Sequence, residues 1–382
     1  MEKMVTDGDA FSGCYAGKRV LITGNTGFKG SWLSLWLIHL GADVYGLSNG
    51  VPGEEQASDA CSLYRQLGLE QRLHQYWVDV RDSAAVQRVV EEVRPDFVFH
   101  LAAQALVSVS YRNPSETFEI NVMGMVHVLD ALRTLKHTCT AILITSDKCY
   151  DNVEWVWGYK ETDPMGGKDP YSGSKGAAEL VLKSYFHSYF KSGDVPVRVA
   201  TARAGNVIGG GDWALDRIVP DCIRSWSKGQ TVEIRSPQAT RPWQHVLEPL
   251  SGYLALGQQL SERKELNGQS FNFGPAAENT HTVVELLSDI GSVFGMPDGM
   301  APYTITGNVP FHEAGLLKLN CDKALFELKW KPVLNYTELT ELTAGWYAVW
   351  HQKQADLYAF TQQQLEVYQS KARERAAVWT QK

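Results

Sequence analysis

Cysteine is sparse and unpaired in pattern in this chain. The six residues Cys14, Cys61, Cys139, Cys149, Cys222 and Cys321 are scattered, with no C-x-x-C pair and no His/Cys spacing suited to zinc. That argues against a zinc module or a disulfide scaffold, and it reads as reduced core thiols in a cytoplasmic protein. No run reaches the roughly 18 apolar residues of a membrane span. The opening MEKMVTDGDAFSG has no apolar stretch of the kind a secretory signal needs, so none is expected. Basic charge is also short: 36 Lys and Arg stand against 43 Asp and Glu, a net −7, which argues against wholesale nucleic-acid binding but leaves room for a local basic pocket. Internal repeats and low-complexity tracts are missing.

What is present is an ordinary globular composition, 44% apolar with 12 Trp over 382 residues, enough for a sizeable core and for two domains. The first half alternates short apolar runs with amphipathic stretches. KRVLITG, ADVYGLS, YWVDV, DFVFHLAA, AILITS and VRVATAR read as strands. Helical spacing is expected over Phe28–Leu40 (Leu33, Trp36, Leu37, Leu40), Ser83–Val93, Ser115–Leu135 and from Pro170 to about Phe190. Parallel neighbours need crossover connections, so this alternation predicts an α/β protein with a doubly wound parallel sheet. Past Gly205 the texture changes to glycine-rich loops, short strands and many Trp and Pro. A first domain over residues 1–205, with a return segment around 240–265, and a smaller mixed α/β domain from 206–239 and 266–382 are expected. The polar tail from His351 reads as helical.

Directly after the first strand stands Thr23-Gly24-Asn25-Thr26-Gly27-Phe28-Lys29-Gly30, and then a helix. Glycines permit a tight turn and let the backbone approach a pyrophosphate, while the helix N-terminus offers free N–H groups and a positive dipole end. A glycine pattern alone is weak evidence; a strand before it and a helix after it supply the confirming context of a dinucleotide site. The G-x-x-G-x-x-G spacing resembles the extended short-chain dehydrogenases. The second strand ends in Ser48-Asn49, neither an acid for a ribose nor an arginine for a 2′-phosphate, so NAD and NADP stay undecided at this point. Asp79-Val80 at the third strand end fits an adenine clamp, although Asp79 also suits the cap of the following helix. Leu101-Ala102-Ala103-Gln104 at the fourth strand end leaves room for a cofactor.

Tyr171 and Lys175 stand four apart in DPYSGSK and share a helix face. A neighbouring ammonium favours a phenolate and turns tyrosine into a usable base. The fifth strand ends in Thr145-Ser146-Asp147-Lys148, at the carboxyl edge where open parallel sheets bind ligands. Ser146 is placed to hold a substrate hydroxyl. Asp147 and Lys148 add an acid beside a potential base, which a simple oxidoreductase or epimerase does not require and an enzyme that removes water does.

These stretches resemble the CDP-glucose 4,6-dehydratases, in the nucleotide-sugar branch of the extended short-chain dehydrogenases. The likeness runs nearly end to end, through TGNTGFKGSWLSLWL, HLAAQALV, NVMGMVHVLDAL, ITSDKCYDNVEWVWGY, ETDPMGGKDPYSGSKG, RAGNVIGGGDWALDRIVPD and RPWQHVLEPLSGY. Lys148 is the residue that marks this group; dehydratases of other nucleotide sugars carry Glu there. One stretch departs from the family pattern: Gly315-Leu316 stand where the family shows His-Tyr.

The resemblance implies a Rossmann-type fold, NAD as cofactor, and dehydration of CDP-glucose to a 4-keto-6-deoxy product. Tyr171 would take the O4 proton as hydride leaves C4 for NAD. Lys148 would remove the C5 proton, Asp147 would protonate the departing C6 hydroxyl, and hydride would return to C6. It also implies Asn206 as a diphosphate partner and a homodimer formed through the helices near Pro114–Leu135 and Pro170–Phe190. For the diphosphate, Arg241 is a candidate because guanidinium matches phosphate oxygens in pairs, and Arg217 and Arg235 are further candidates. Trp213 could wall the base pocket. Two other readings stay open: a dehydratase or 4-epimerase acting on another nucleotide-activated hexose, and a non-catalytic cofactor-binding protein.

Overall fold

The computed structural model describes residues 7–52, 62–276, 280–296, 299–306, 316–353 and 355–381. Cys61 and the Gly315 position of the unusual stretch lie outside the described residues.

Each apolar run forms a strand whose successive side chains leave on opposite faces. Seven strands pair in parallel: β1 (Arg19–Thr23), β2 (Asp43–Ser48), β3 (His74–Trp77), β4 (Phe97–His100), β5 (Cys139–Ile144), β6 (Val197–Arg203) and β7 (Ser270–Asn272). Their order is β7-β6-β5-β4-β1-β2-β3. Val20, Ile22, Phe97, Phe99, Ile142 and Ile144 enter one core, while Leu21, Val98, Ala141 and Leu143 enter the other. Both faces must therefore be covered by helices. β7 falls in the stretch expected for the second domain; at three residues it is too short to show a period in sequence, and it extends the main sheet instead.

The second core is closed by α2 (Ser83–Val93), α3 (Gly124–Arg133) and α4 (Pro170–Tyr185), and the first by α1 (Phe28–His39) and α5 (Leu247–Glu262). Asp82 caps α2 through the Ala85 N–H at 2.9 Å, and Asp169 caps α4 through the Ser172 N–H at 2.9 Å, with Pro170 in the first turn. The expected helix before Leu135 is helical from Pro114 to Arg133, with a wider turn at Glu119–Met123.

α1 departs from a simple amphipathic helix. Trp32 and Leu35 are buried along with Leu33, Trp36 and Leu37, because a second layer packs on its outer side; Trp32 Nε1 donates to the Gly210 carbonyl at 2.9 Å. That layer contains α6 (Val283–Phe294), α7 (Tyr336–Gln352) and α8 (Leu357–Glu374), with short strand pairs joining residues 232–234 to 303–305 and 240–241 to 281–282. The polar tail contributes to the core through one face. Leu365, Tyr368 and Ala372 of α8 are buried, and Trp379 stacks on Phe11 with ring centroids 4.9 Å apart. Cys14, Cys139, Cys149, Cys222 and Cys321 are unpaired. Among the described residues no helix is long and apolar enough to cross a membrane, and no group of three His, Cys, Asp or Glu could hold a metal ion.

Candidate active site

The chain order runs outward in one direction from β1 to β3 and in the other from β4 to β7. The crevice where the order reverses, at the carboxyl ends of β1 and β4, is where such sheets bind ligands. A cavity of about 580 Å³ opens there. Gly24 leaves β1 at φ +73°, and a β carbon on it would sit 2.7 Å from the Ala102 nitrogen at the end of β4. Gly30 is equally constrained: a β carbon would collide with the Gly24 carbonyl and come within 2.7 Å of Asn25 Cα. Gly27 tolerates a side chain better, its nearest neighbour being Gly24 O at 3.4 Å. It precedes α1 without any side-chain cap, so the first N–H groups of that helix are left for a ligand.

Of the residues singled out in the sequence, Gly24, Thr26, Gly27, Phe28, Lys29, Gly30, Asp79, Val80, Leu101, Ala102, Ala103, Ser146, Tyr171, Lys175 and Arg217 line this cavity. Others do not. Asn25 turns into the sheet, donating to Gln75 at 2.7 Å and accepting from the Ser48 hydroxyl at 2.8 Å, so it pins the loop to the second and third strands. Gln104 spends its amide on Leu106 O and Thr117 Oγ1, both at 3.0 Å, and its carbonyl oxygen on Leu106 N. Trp213 is no wall of the cavity; it packs in an aromatic cluster with Trp346, Tyr347 and Trp350. Arg241 lies on the short strand pair and donates to its neighbour's carbonyl, Thr240 O, at 2.9 Å. Arg241, Arg235 and Asn206 are all absent from the lining, and Asn206 holds a left-handed φ of 53°.

Asp79 is not the helix cap, since Asp82 fills that place. Its carboxylate is gripped by Arg81 at 2.7 Å and takes the Asn49 side chain at 3.2 Å; the Arg81 contact holds its pKa below the usual carboxylate range. An acid is thus delivered to the end of β2 from the next strand.

At the other end of the cavity Ser146 caps a short turn over Asp147–Cys149. Its hydroxyl accepts the Lys148 N–H at 3.2 Å and donates to Asp147 Oδ1 at 2.8 Å. Asp147 and Lys148 are outside the cavity lining, Asp147 being buried directly behind Ser146. Burial pushes the Tyr171 phenol up to about 12, with the Ser146 hydroxyl and Arg217 pulling against that and Asp147 adding to it. Burial brings Lys175 down to about 8. Lys29 is likewise lowered to about 8, by burial first and then by Arg217 and Lys175. The ammonium of Lys175 lies 6.0 Å from the Tyr171 ring centroid. Arg217 is anchored by Asp212 at 3.0 Å. The site therefore gathers three cations, an acid and a hydroxyl around one buried phenol.

Sequence reasoning missed the layer beneath. Glu179 and Arg203 form a buried ion pair at 2.8 Å, and Asn121 joins Gln104 O at 3.1 Å to Ser174 Oγ at 2.8 Å. A signal existed for Glu179, which stands four residues after Lys175 on the same helix face.

Comparison with known proteins agrees with this geometry. The family described as GDP-mannose 4,6 dehydratase matches residues 21–343. The CDP-glucose 4,6-dehydratase of Salmonella typhimurium is 44% identical over 339 residues, 88% of this chain and 92% of that protein. Among solved structures, the UDP-glucose 4-epimerase of Thermus thermophilus in complex with NAD is 26% identical with a TM-score of 0.70, covering 86% of this chain and 98% of that one. The dTDP-glucose 4,6-dehydratase of Bacillus anthracis shares the fold at 18% identity and a TM-score of 0.70, covering 90% of this chain and 100% of that one. A parallel sheet with its switch-point cavity, a glycine cradle and a tyrosine–lysine pair, taken with these matches, make this chain a member of the nucleotide-sugar 4,6-dehydratase family of extended short-chain dehydrogenases.

Proposed function

We propose that the chain dehydrates CDP-glucose to CDP-4-keto-6-deoxyglucose with NAD as resident cofactor. The observation that carries this reading is the hydrogen bond from Ser146 to Asp147, which sets a carboxyl group immediately behind the hydroxyl that faces Tyr171. An epimerase built on the same tyrosine needs no acid there. The 44% identity to a CDP-glucose 4,6-dehydratase supports the nucleotide.

The residues present fit the cofactor. The collisions that any β carbon would make at Gly24 and Gly30 describe a backbone cradle, and the uncapped end of α1 supplies N–H donors for a pyrophosphate. Gly24–Gly30 would hold the diphosphate, Asp79 and Val80 the adenine end, and Tyr171 and Lys175 the nicotinamide end. When bound, NAD accepts a hydride from the sugar and later returns it.

The chain's own groups handle the protons. Tyr171 takes the O4 proton, with Ser146 holding that hydroxyl. Burial alone would make Tyr171 a poor base, so the cations around it must favour the phenolate. Lys148 takes the C5 proton, Asp147 protonates the C6 oxygen as it leaves as water, and C5 regains a proton when hydride returns to C6. Among the described residues the Lys148 ammonium has no hydrogen-bond or ion-pair partner, which leaves it available. Arg217 and Lys29, both on the cavity wall, supply the positive charge a sugar diphosphate requires. The exposed apolar side chains Phe118, Met123, Leu180 and Tyr189 on the two long helical segments support a homodimer, and unpaired thiols support a cytoplasmic location.

The decisive experiment incubates purified protein and NAD with CDP-, dTDP-, GDP- and UDP-hexoses separately and weighs the products. Loss of one water from CDP-glucose alone is expected. Water loss only from another nucleotide sugar moves the specificity and turns attention to the Gly315-Leu316 stretch. No water loss from any of them overturns the dehydratase reading.

A further inference from the structure

Four residues, Ser146 to Cys149, carry the acid, the base and the substrate-holding hydroxyl. Thr145 and Tyr150 flank them, and both flanks are tied to the same buried ion pair. Glu179 sits on α4 one turn beyond Lys175 and two beyond Tyr171. Its Oε1 accepts the Thr145 hydroxyl at 2.5 Å and Arg203 Nε at 2.8 Å, and its Oε2 accepts the second Arg203 terminal nitrogen at 2.8 Å and the Thr201 hydroxyl at 3.1 Å. Arg203, the last residue of β6, turns its remaining terminal nitrogen to the Tyr150 hydroxyl at 2.7 Å. That hydroxyl then donates to Asn272 on β7 at 2.8 Å. The two charged side chains are only 2% and 5% exposed, and neither lines the cavity.

A buried ion pair is costly to desolvate, and well-packed apolar residues commonly hold a helix to a sheet as well or better. This pair does something an apolar pair cannot. It fixes hydrogen-bond directions on both sides of one turn while standing on the helix that carries Tyr171 and Lys175. We propose that Glu179 and Arg203 are positioning residues that set the Ser146–Lys148 turn against Tyr171 and Lys175, with the Tyr150 contact governing the acid–base half of the reaction. The Thr145 end holds Ser146, which serves oxidation at C4. The Tyr150 end holds the far side of Asp147 and Lys148, which serve elimination. This rests on the dehydratase reading above.

Tyr150→Phe removes one hydroxyl and leaves the ion pair, Thr145 and the Tyr171–Lys175 helix in place. In single-turnover reactions with CDP-glucose and NAD, we expect near wild-type appearance of reduced-nicotinamide absorbance and elimination slowed by about tenfold or more, so that the absorbance accumulates instead of decaying. Binding of NAD and of CDP-glucose should stay within about twofold of wild type. A purely structural role predicts that both half-reactions fall together with the melting temperature; that result, or wild-type elimination, overturns the proposal. Should Tyr150→Phe fail to fold, Thr145→Val tests the other end: oxidation at C4 should slow by about tenfold or more while the melting temperature stays near wild type, and unchanged oxidation, or a loss that tracks the melting temperature, overturns the proposal. If the wild-type protein dehydrates no nucleotide sugar, the functional reading fails first and this inference falls with it.

Discussion

The Asp147 carboxylate rests directly on the backbone of Gly205, so that a β carbon added to Gly205 would overlap Oδ1, Oδ2 and Cγ of the aspartate. Gly205 does not hold a positive φ, so glycine is there for space and not for a turn. One methyl group at Gly205 should therefore act first on Asp147. We predict that Gly205→Ala folds, with a stability loss of about 1–3 kcal/mol from overpacking. It should reproduce the phenotype of Asp147→Asn: oxidation at C4 proceeds, water loss slows by about tenfold or more, and reduced-nicotinamide absorbance builds up. Stopped-flow absorbance on both variants checks this. Wild-type decay of that absorbance in either one removes Asp147 from the acid role.

Much of this architecture was legible because it depends on local rules. The strand starts and stops, the glycine spacing ahead of α1 and the i, i+4 pair on α4 are each written within a few residues of one another. What was not legible depends on partners far away in sequence. Asn25 stands within the glycine motif, yet its side chain serves Gln75 and Ser48. Trp213 follows a glycine-rich loop as a pocket wall would, but α7 brings Trp346, Tyr347 and Trp350 to it from more than a hundred residues away. β7 has three residues and only its pairing with β6 makes it a strand. Arg241 matched phosphate chemistry by residue type, and the short strand that carries it places it outside the cavity lining. Arg203 looked like the end of an apolar run, and its value shows only when Glu179, Tyr150 and Asn272 converge on it.

Cofactor choice should follow the corner between β2 and β3. Ser48 is buried and occupied by Asn25, while Asn49 donates to Asp79 at 3.2 Å. With its pKa lowered by Arg81, Asp79 stays ionised and puts a carboxylate beside Asn49 at the end of β2, where an NAD-type site carries the acid for its ribose. NAD should bind well ahead of NADP. Replacing the corner with Asn49→Arg and Asp79→Asn should narrow that preference by about tenfold or more, at about 1.4 kcal/mol per tenfold change. Fluorescence titration with both dinucleotides measures it, and an unchanged ratio would show that the corner does not meet the ribose.

Lys29 follows the glycine that opens α1, but its electrostatic neighbours are Arg217, Asp147, Lys175 and Asp212, all at the catalytic end of the cavity and none at the Asp79 corner. It has no hydrogen-bond or ion-pair partner among the described residues. Its charge is therefore offered to whatever anion enters beside Arg217. Lys29→Met should raise the KM for the nucleotide sugar by about tenfold or more while the Kd for NAD moves little, since a charge-assisted contact to phosphate contributes about 1.5–3 kcal/mol. A loss confined to NAD binding would assign Lys29 to the cofactor instead.

Three buried groups outside the proton-transfer set give the stability a defined pH slope. Burial lowers His100 and His245 from 6.5 to about 3. His100 Nδ1 lies 2.7 Å from Thr23 Oγ1, and the nearby Lys175 ammonium adds to the effect of burial on its ring. Between pH 6.5 and 5 the unfolded chain binds a proton at each histidine that the folded chain refuses, so each one lowers stability as the pH falls. Glu248 works the other way: burial raises it from 4.5 to about 7, despite the Val333 and Leu334 N–H groups and the Tyr368 hydroxyl that it accepts. Across the same range the folded chain holds that proton and the unfolded chain does not, so Glu248 raises stability as the pH falls and offsets one histidine. Glu248→Gln deletes this compensation. Its urea-unfolding free energy should fall more steeply than wild type between pH 6.5 and 5, by one additional proton, on the order of 1.4 kcal/mol per pH unit. Parallel slopes in the two proteins would mean that Glu248 is ionised in the folded state throughout this range, its three hydrogen bonds outweighing burial.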